Sequence, residues 1–490
     1  MTDFSHKLEH FFENLVFGYR KTAMAIILII IAFLTVQATK VQPEASFTKM
    51  IPGDHEFITN FLTYRKELAG LGNVVRIIVE NKDGDIFNAE YQETLKQVTD
   101  EVFYIPGVNR SGLKSIWTPN VRWAEVTEEG YVGGTVVPDG YDGSDEYVQI
   151  LKDNVFKSGQ VGILVGNNYR SATILAPLQD VNPETGQPID YRELSNQLET
   201  SVRDKFNSDS INIRIVGFAK LIGDLIDGAV QVLIFFFLAV AITFVFLYLY
   251  SRCIRSTIAV LTFSISAVFC QLGILYLLGY GINPYSMLVP FLVFAIGVSH
   301  GVQIINSIIN HTVRGADKLE AAKLAFRSLY IAGITALVSD AIGFTTLMVI
   351  DIGVIQELAI AASIGVAVII VTNLFALPVV MSYIGVSPKC VERERASLHE
   401  ISTVERLFAS FARPPAAKVA LFGALVLCAT GLYFSQFLKI GDLDEGAPEL
   451  RPDSRYNMDN AYIVNNYSTS TDVFVVMATT GVQQCMQYKS

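Results

Sequence analysis

Two ionisable side chains stand in stretches of the sequence that otherwise carry no charge. His300 lies in "FAIGVSHGVQIINS" (294–307) and Asp340 in "ALVSDAIGF" (336–344). A carboxylate at mid-bilayer costs at least about 2.5–3.5 kcal/mol on insertion scales, so one that persists there has a partner or water and reads as functional. Histidine and aspartate ionise near ~6.5 and ~3.9 in free peptides, so a close pair of them holds an ion pair or takes up a proton and sheds charge. The chemistry expected is a proton relay through Asp340 and His300. Ser299, Gln303 and Ser339 extend it as a polar strip. Gly297 and Gly301 flank His300 at small-xxx-small spacing, and Gly343 follows Asp340 by almost a turn, a pattern that lets helices pack closely. The competing reading is that the His300–Asp340 pair only joins two helices.

The elements that must hold these residues are membrane spans. Hydrophobic residues make up 51% of the 490 positions, and mean hydropathy is +0.39, both too high for an ordinary soluble protein. Uncharged runs at 22–39, 228–251 and 419–438 are each long enough to cross a hydrocarbon core of about 30 Å. The charge-free stretch 256–313 folds back at "GYGINPY" and supplies two spans. Two more are expected at 329–350 and 358–383, for seven in all. Consecutive spans run antiparallel, and counting from the ends of those runs places His300 and Asp340 at similar depth. Asp351 and Glu357, in the turn after the fifth span, read as solvated.

Lysine and arginine cluster before the first span, after the second, after the fourth and between the sixth and seventh, which all fall on one side of a consistent topology. That side is the expected cytoplasm. The chain is expected in the inner membrane as a multi-pass protein with a cytoplasmic N-terminus. Residues 1–21 form a cytoplasmic amphipathic helix, 22–39 the first span, 40–227 a large outer segment, 228–383 spans two to six, 384–418 a cytoplasmic linker with a second amphipathic helix, 419–438 the seventh span and 439–490 a second outer segment.

The outer segment 40–227 carries 18 Lys and Arg against 28 Asp and Glu, the wrong sign for nucleic acid. Strands are expected at 74–80, 133–137, 161–165, 171–177 and 211–216, and helices at 88–102, 145–155 and 191–206, alternating as in βαβ units of an α+β domain. "GVNRSGLKS" from Gly107 imitates a phosphate loop, but Leu113 stands where that loop needs lysine. Five scattered cysteines predict no disulfide framework and no metal cluster. No cofactor and no enzymatic activity is expected.

"LEHFFENLVFGYRKTAMAIILII" from Leu8 is echoed by "VERLFASFARPPAAKVALFGALV" from Val404. Past the membrane, "NVVRIIVEN" is echoed by "TDVFVVMAT". The chain therefore reads as one complete unit of about 400 residues, followed by the opening of a second, truncated one.

This layout resembles the resistance-nodulation-division (RND) exporters, especially the branch of mycobacterial large membrane proteins (MMPL) and hopanoid exporters. The motif-level likeness lies in "GVSHGVQIINSI" from Gly297 and "ALVSDAIGFTTL" from Ala336, which look like that family's fourth and fifth spans. Members of the branch commonly carry Gly-Val-Asp-Tyr in span four, where the aspartate carries the proton. Here Ser299 and His300 occupy the aligned positions, and the acid stands at Asp340, where threonine is usual. The resemblance implies an α-helical polytopic membrane protein with an extracytoplasmic, porter-like α+β domain, and a proton-driven exporter of hydrophobic or amphiphilic molecules such as lipids. Its partners would be membrane lipids, substrate and protons, with self-association left open. Two alternatives share the layout: a lipid or sterol sensor of the Patched type, and a protein-translocation accessory of the SecD and SecF type.

Overall fold

The computed structural model describes residues 11–41, 55–64, 446–469 and 476, and residues 73–438 apart from 129, 180, 183–185, 188, 284 and 398–402. The chain divides into two compact units, one of residues 1–59 and 229–440, the other of residues 60–228 and 441–490. The strand expected in "TDVFVVMAT" lies, except for Val476, outside the described residues.

Among the described residues, seven helices are long and apolar enough to cross a membrane: span 1 Arg20–Ala38, span 2 Phe218–Ser251, span 3 Ile254–Leu277, span 4 Ser286–Val313, span 5 Lys318–Val349, span 6 Gly353–Ile384 and span 7 Pro414–Ser435. Span 5 begins eleven residues before the apolar run expected at 329. The reason is local: the Asp317 side chain caps the helix by accepting from the Glu320 N–H at 2.7 Å, so the charged stretch that follows is helical too. Span 6 is interrupted by a π turn at Ile370–Ala376. Glu357, read as solvated, instead accepts from the Asn283 side-chain amide at 2.9 Å. Asp351 is exposed.

Residues 11–18 are helical and dock an aromatic face on spans 5 and 6. The Phe12 ring lies 5.8 Å from Tyr330 and 5.6 Å from Phe375, and Phe17 lies 5.7 Å from Phe326. Glu13, only 4% exposed, receives two hydrogen bonds from the Arg327 guanidinium at 2.6 and 2.9 Å. A bidentate pair of this kind fixes orientation as well as contact. Arg327→Gln leaves a buried carboxylate short of donors, a loss on the order of 2 kcal/mol. Proteolysis after residues 11–18 in the intact chain should then be at least about tenfold faster, since 1.4 kcal/mol is a factor of ten in an opening equilibrium.

The second unit holds a three-stranded sheet in the order β4-β1-β5. Its strands are β1 Val74–Asn81, β4 Ser171–Pro177 and β5 Ile211–Val216. A separate hairpin pairs β2 Arg122–Thr127 with β3 Gly130–Thr135. Both pairings in the larger sheet are antiparallel, which corrects the βαβ expectation. Residues 161–165 make a turn closed by an isolated bridge rather than a strand. The near-continuous apolar run of β1 is explained by burial on both faces. Val75, Ile77 and Val79 face a core shared with helices α1 Ala89–Tyr104, α2 Asp145–Lys157 and α3 Tyr191–Gln197. Ile78 and Val216 face the opposite way, toward Tyr456, Ile463 and Tyr467, two of them on helix α4 Arg455–Asn466.

A charge network ties α4 to the sheet. Asp459 and Arg203 are each 3% exposed. Asp459 accepts from the Arg203 guanidinium at 2.8 Å, from the Ile215 N–H at 3.1 Å and from Arg214 at 3.4 Å. Burial holds the Asp459 carboxyl above the usual carboxylate range, against the pull of Arg203. Burial also pushes Glu199 up, but Arg203, Lys220 and Arg455 together bring it below that range. The two groups act in opposite senses on stability. The contribution of Glu199 is complete above the unfolded carboxylate value near ~4.3 and is lost as pH falls, whereas that of Asp459 is lost as pH rises through its raised value.

Candidate functional site

Spans 4 and 5 pack together, and the Ser307 and Ser328 hydroxyls meet across them at 3.2 Å. That contact fixes the register. His300 lies seven residues from Ser307, and Asp340 twelve from Ser328, so at about 1.5 Å per residue Asp340 sits roughly 7–8 Å further along than His300. The two residues, expected at similar depth, are thus offset along the helix pair, and span 5 starts earlier than its apolar run. Asp340 is exposed on the helix surface, while His300 is half-buried. The His300 imidazole turns back on its own helix, with Nδ1 3.1 Å from the Ile296 carbonyl oxygen. Among the described residues, no hydrogen bond or ion pair joins Asp340 to His300.

The sequence-selected polar residues form a face. On span 4, Ser299, Gln303 and Asn306 are exposed, and their spacing of four and three places them on one helical stripe. Ser328, Thr335 and Ser339 make a matching stripe on span 5, with Asp340 beside it; all four are exposed. Thr335 stands close to the level of His300 by the same register. The outcome is a polar strip that carries an acid along two membrane-length helices and has no covering helix among the described residues.

The glycines divide. Gly297 and Gly301 are buried and seat span 4 against spans 3 and 6. A methyl group at Gly297 would press on Asn373 and Ser264, and one at Gly301 on Val260 and Leu377. Gly343 meets open space, so it does not bring spans 4 and 5 together.

A second polar line runs inside the bundle. Thr257, Ser264 and Gln271 recur every seventh residue on span 3, each at most 1% exposed. Asn373, in the π turn of span 6, donates to the Gly297 carbonyl oxygen and to Ser264 Oγ. Gln271 donates to the Ala361 carbonyl oxygen at 3.3 Å. The amide oxygens of Asn373 and Gln271 have no hydrogen-bond donor among the described residues, a condition that in native interiors calls for a reason. Sequence inspection passed over this line because it holds no charge. The seven-residue recurrence of polar residues on span 3 was the signal that could have found it.

The MMPL family model matches residues 182–417, from α3 through spans 2–6 to the first turn of span 7. Over these residues the chain is similar to the MMPL family, consistent with a member of the RND/MMPL superfamily. Spans 4 and 5 with their polar strip, and the buried line of spans 3 and 6, all lie inside the MMPL region. The match suggests an RND-type membrane transporter. No curated protein matches the chain.

Proposed function

We propose that the chain is the membrane motor, with its outer domain, of a proton-driven exporter of hydrophobic or amphiphilic molecules, and that Asp340 binds the transported proton. The observation that carries this reading is an exposed carboxylate within a membrane-length helix of an MMPL region. An acid held in such a place at a cost of at least about 2.5–3.5 kcal/mol is one whose chemistry is used. His300 serves as the second station. The offset in depth turns a direct pair into a relay in series, with Thr335 and Ser339 on the path between the two levels, and Ser299 and Gln303 lining it. The inner line of Gln271 and Asn373 supplies polar contacts about which spans 3, 4 and 6 rearrange.

The α+β unit is assigned to the outer side as a porter-like domain, with the N-terminus in the cytoplasm of a cell whose inner membrane holds the protein. The clustering of basic residues near spans 1, 2, 4 and 6 supports that orientation. A unit charge moved through a membrane potential of about 100 mV yields roughly 2.3 kcal/mol, an adequate drive for moving an amphiphile between leaflets.

The test uses the full chain in liposomes, with a fluorescently labelled lysophospholipid as probe and a dithionite-quench readout of its sidedness. An imposed pH gradient should accelerate net movement of the probe, and nigericin should abolish the acceleration. Movement at the same rate with and without the gradient refutes proton coupling.

A further inference from the structure

Two thiols 137 positions apart in sequence meet where the turn between spans 2 and 3 touches the helix Pro388–Ser397. Cys253 is 1% exposed and Cys390 2%, and both are free. Cys253 is the N-cap residue of span 3, so its sulfur faces the positive end of a long helix, a setting that favours the thiolate. Two donors converge on that one sulfur, the Ser256 hydroxyl at 3.2 Å and the Ser387 N–H at 3.5 Å; Ser387 lies three residues before Cys390, which brings the Cys390 thiol beside it. With Ser256, Cys253 forms a Cys-x-x-Ser sequence whose fourth residue reaches back to the first. The Cys390 thiol donates to the Ser251 carbonyl oxygen, 3.3 Å away and two residues before Cys253, and Arg393 donates to the same oxygen at 3.4 Å.

The two sulfurs are thereby made unlike. The neighbouring Cys390 thiol, stronger in effect than burial, brings the Cys253 thiol down to about 4. The proximity of Cys253, with burial, holds Cys390 well above the ordinary thiol range. A pair that only filled space would need neither two donors on one sulfur, with the other thiol turned to a backbone carbonyl, nor this asymmetry. One thiolate beside one protonated thiol is the arrangement of an attacking and a resolving cysteine.

We propose that Cys253 and Cys390 are a peroxide-oxidised thiol pair whose disulfide ties the helix Pro388–Ser397 to the turn between spans 2 and 3. The Cys253 thiolate attacks one oxygen of hydrogen peroxide; an S–O bond forms, the O–O bond breaks and hydroxide leaves. The Cys390 sulfur then gives up its proton and attacks the Cys253 sulfur of the sulfenic acid. The S–S bond forms, the S–O bond breaks, and the departing hydroxide takes the proton. The proton that Cys253 released on ionising neutralises the first hydroxide, so two thiols and one hydrogen peroxide become one disulfide and two waters. A small neutral oxidant suits sulfurs this buried, whereas bulky thiol reagents are shut out. Arg395 of the same helix donates to the Val313 carbonyl oxygen at 3.3 Å, so the disulfide would hold the end of span 4, the turn between spans 2 and 3 and the linker toward span 7 as one body. A resulting slowing of transport rests on the transport reading above; disulfide formation does not.

The test treats the full chain in nanodiscs with hydrogen peroxide, then denatures it in iodoacetamide and maps cysteine peptides by mass spectrometry. The expected result is a Cys253–Cys390 linked peptide that dithiothreitol releases, while N-ethylmaleimide added to the folded, reduced protein leaves both residues unlabelled. Cys390→Ser should stop the reaction at a Cys253 sulfenic acid that dimedone traps. Ser256→Ala, which keeps both thiols, should slow linkage severalfold. The proposal is overturned if both residues are recovered as free thiols after peroxide has oxidised an exposed control thiol, if Cys253 is linked instead to another cysteine, or if Cys390 oxidises at an unchanged rate in Cys253→Ser.

Discussion

Asp340→Asn is expected to abolish proton-driven movement of an amphiphile while leaving the chain inserted and folded. Asparagine matches aspartate in shape but cannot exchange a proton, and it removes an insertion cost of at least about 2.5–3.5 kcal/mol, so membrane assembly should improve if it changes at all. The loss in gradient-driven rate should be at least about a hundredfold, the low end of what a positioned proton-transfer group supplies. Asp340→Glu should retain part of the activity, because it keeps the carboxyl on the same face of span 5. His300→Gln should slow transport less than Asp340→Asn, since it removes one station and leaves the acid. Thermal unfolding of the detergent-solubilised variants, matched to the parent, separates these effects from misfolding. Undiminished gradient-driven movement in Asp340→Asn removes Asp340 from the mechanism.

The second large effect is structural. Asp459→Ala leaves Arg203 buried with its short contact to Asp459 gone, and removes the acceptor for the Ile215 N–H and the longer of the two carboxylate contacts of Arg214, which keeps Glu80 at 2.9 Å. Breaking one side of a buried ion pair costs about 3–5 kcal/mol. The loss falls on the attachment of α4 to β5, so amide exchange in Ile211–Val216 and Arg455–Asn466 of the intact chain should accelerate roughly a hundredfold to a thousandfold, if these segments open through that detachment. Exchange in spans 3 and 6 should be unchanged. Equal acceleration in both units, or none in α4, contradicts the assignment of this network as the clasp. The Glu199 ion pairs with Arg203 and Lys220, at 2.9 and 3.0 Å, survive the substitution and limit the damage to this one face.

Much of this architecture was legible because its signals are local. Seven apolar runs became seven membrane-length helices, and the β1, β4 and β5 segments were visible in their apolar runs. The errors have physical causes. The length of span 5 was misjudged because hydropathy ends where charge begins, but a helix does not; the Asp317 cap carries it back through Lys318, Lys323 and Arg327. Asp340 is offset from His300 along the same helix pair. Antiparallel pairing of β1 with β4 and β5 could not be read from alternation of strands and helices, because α4, which covers the second face of the sheet, arrives from beyond span 7. Glu13 with Arg327, Asp459 with Arg203, and Cys253 with Cys390 are each separated by more than 130 positions, and no single-sequence periodicity connects such partners. Asn373 escaped notice because its role depends on a π turn, which shifts one residue out of the helical register.

The most direct test of the central claim measures protons rather than the amphiphile. Liposomes holding the full chain and an internal pH-sensitive dye, with no imposed gradient, receive the labelled lysophospholipid on one side. Proton movement should begin on its addition, rise with its concentration and vanish in Asp340→Asn. Movement of the lysophospholipid with no accompanying change in internal pH, or an equal pH change in Asp340→Asn, contradicts coupling through this carboxyl.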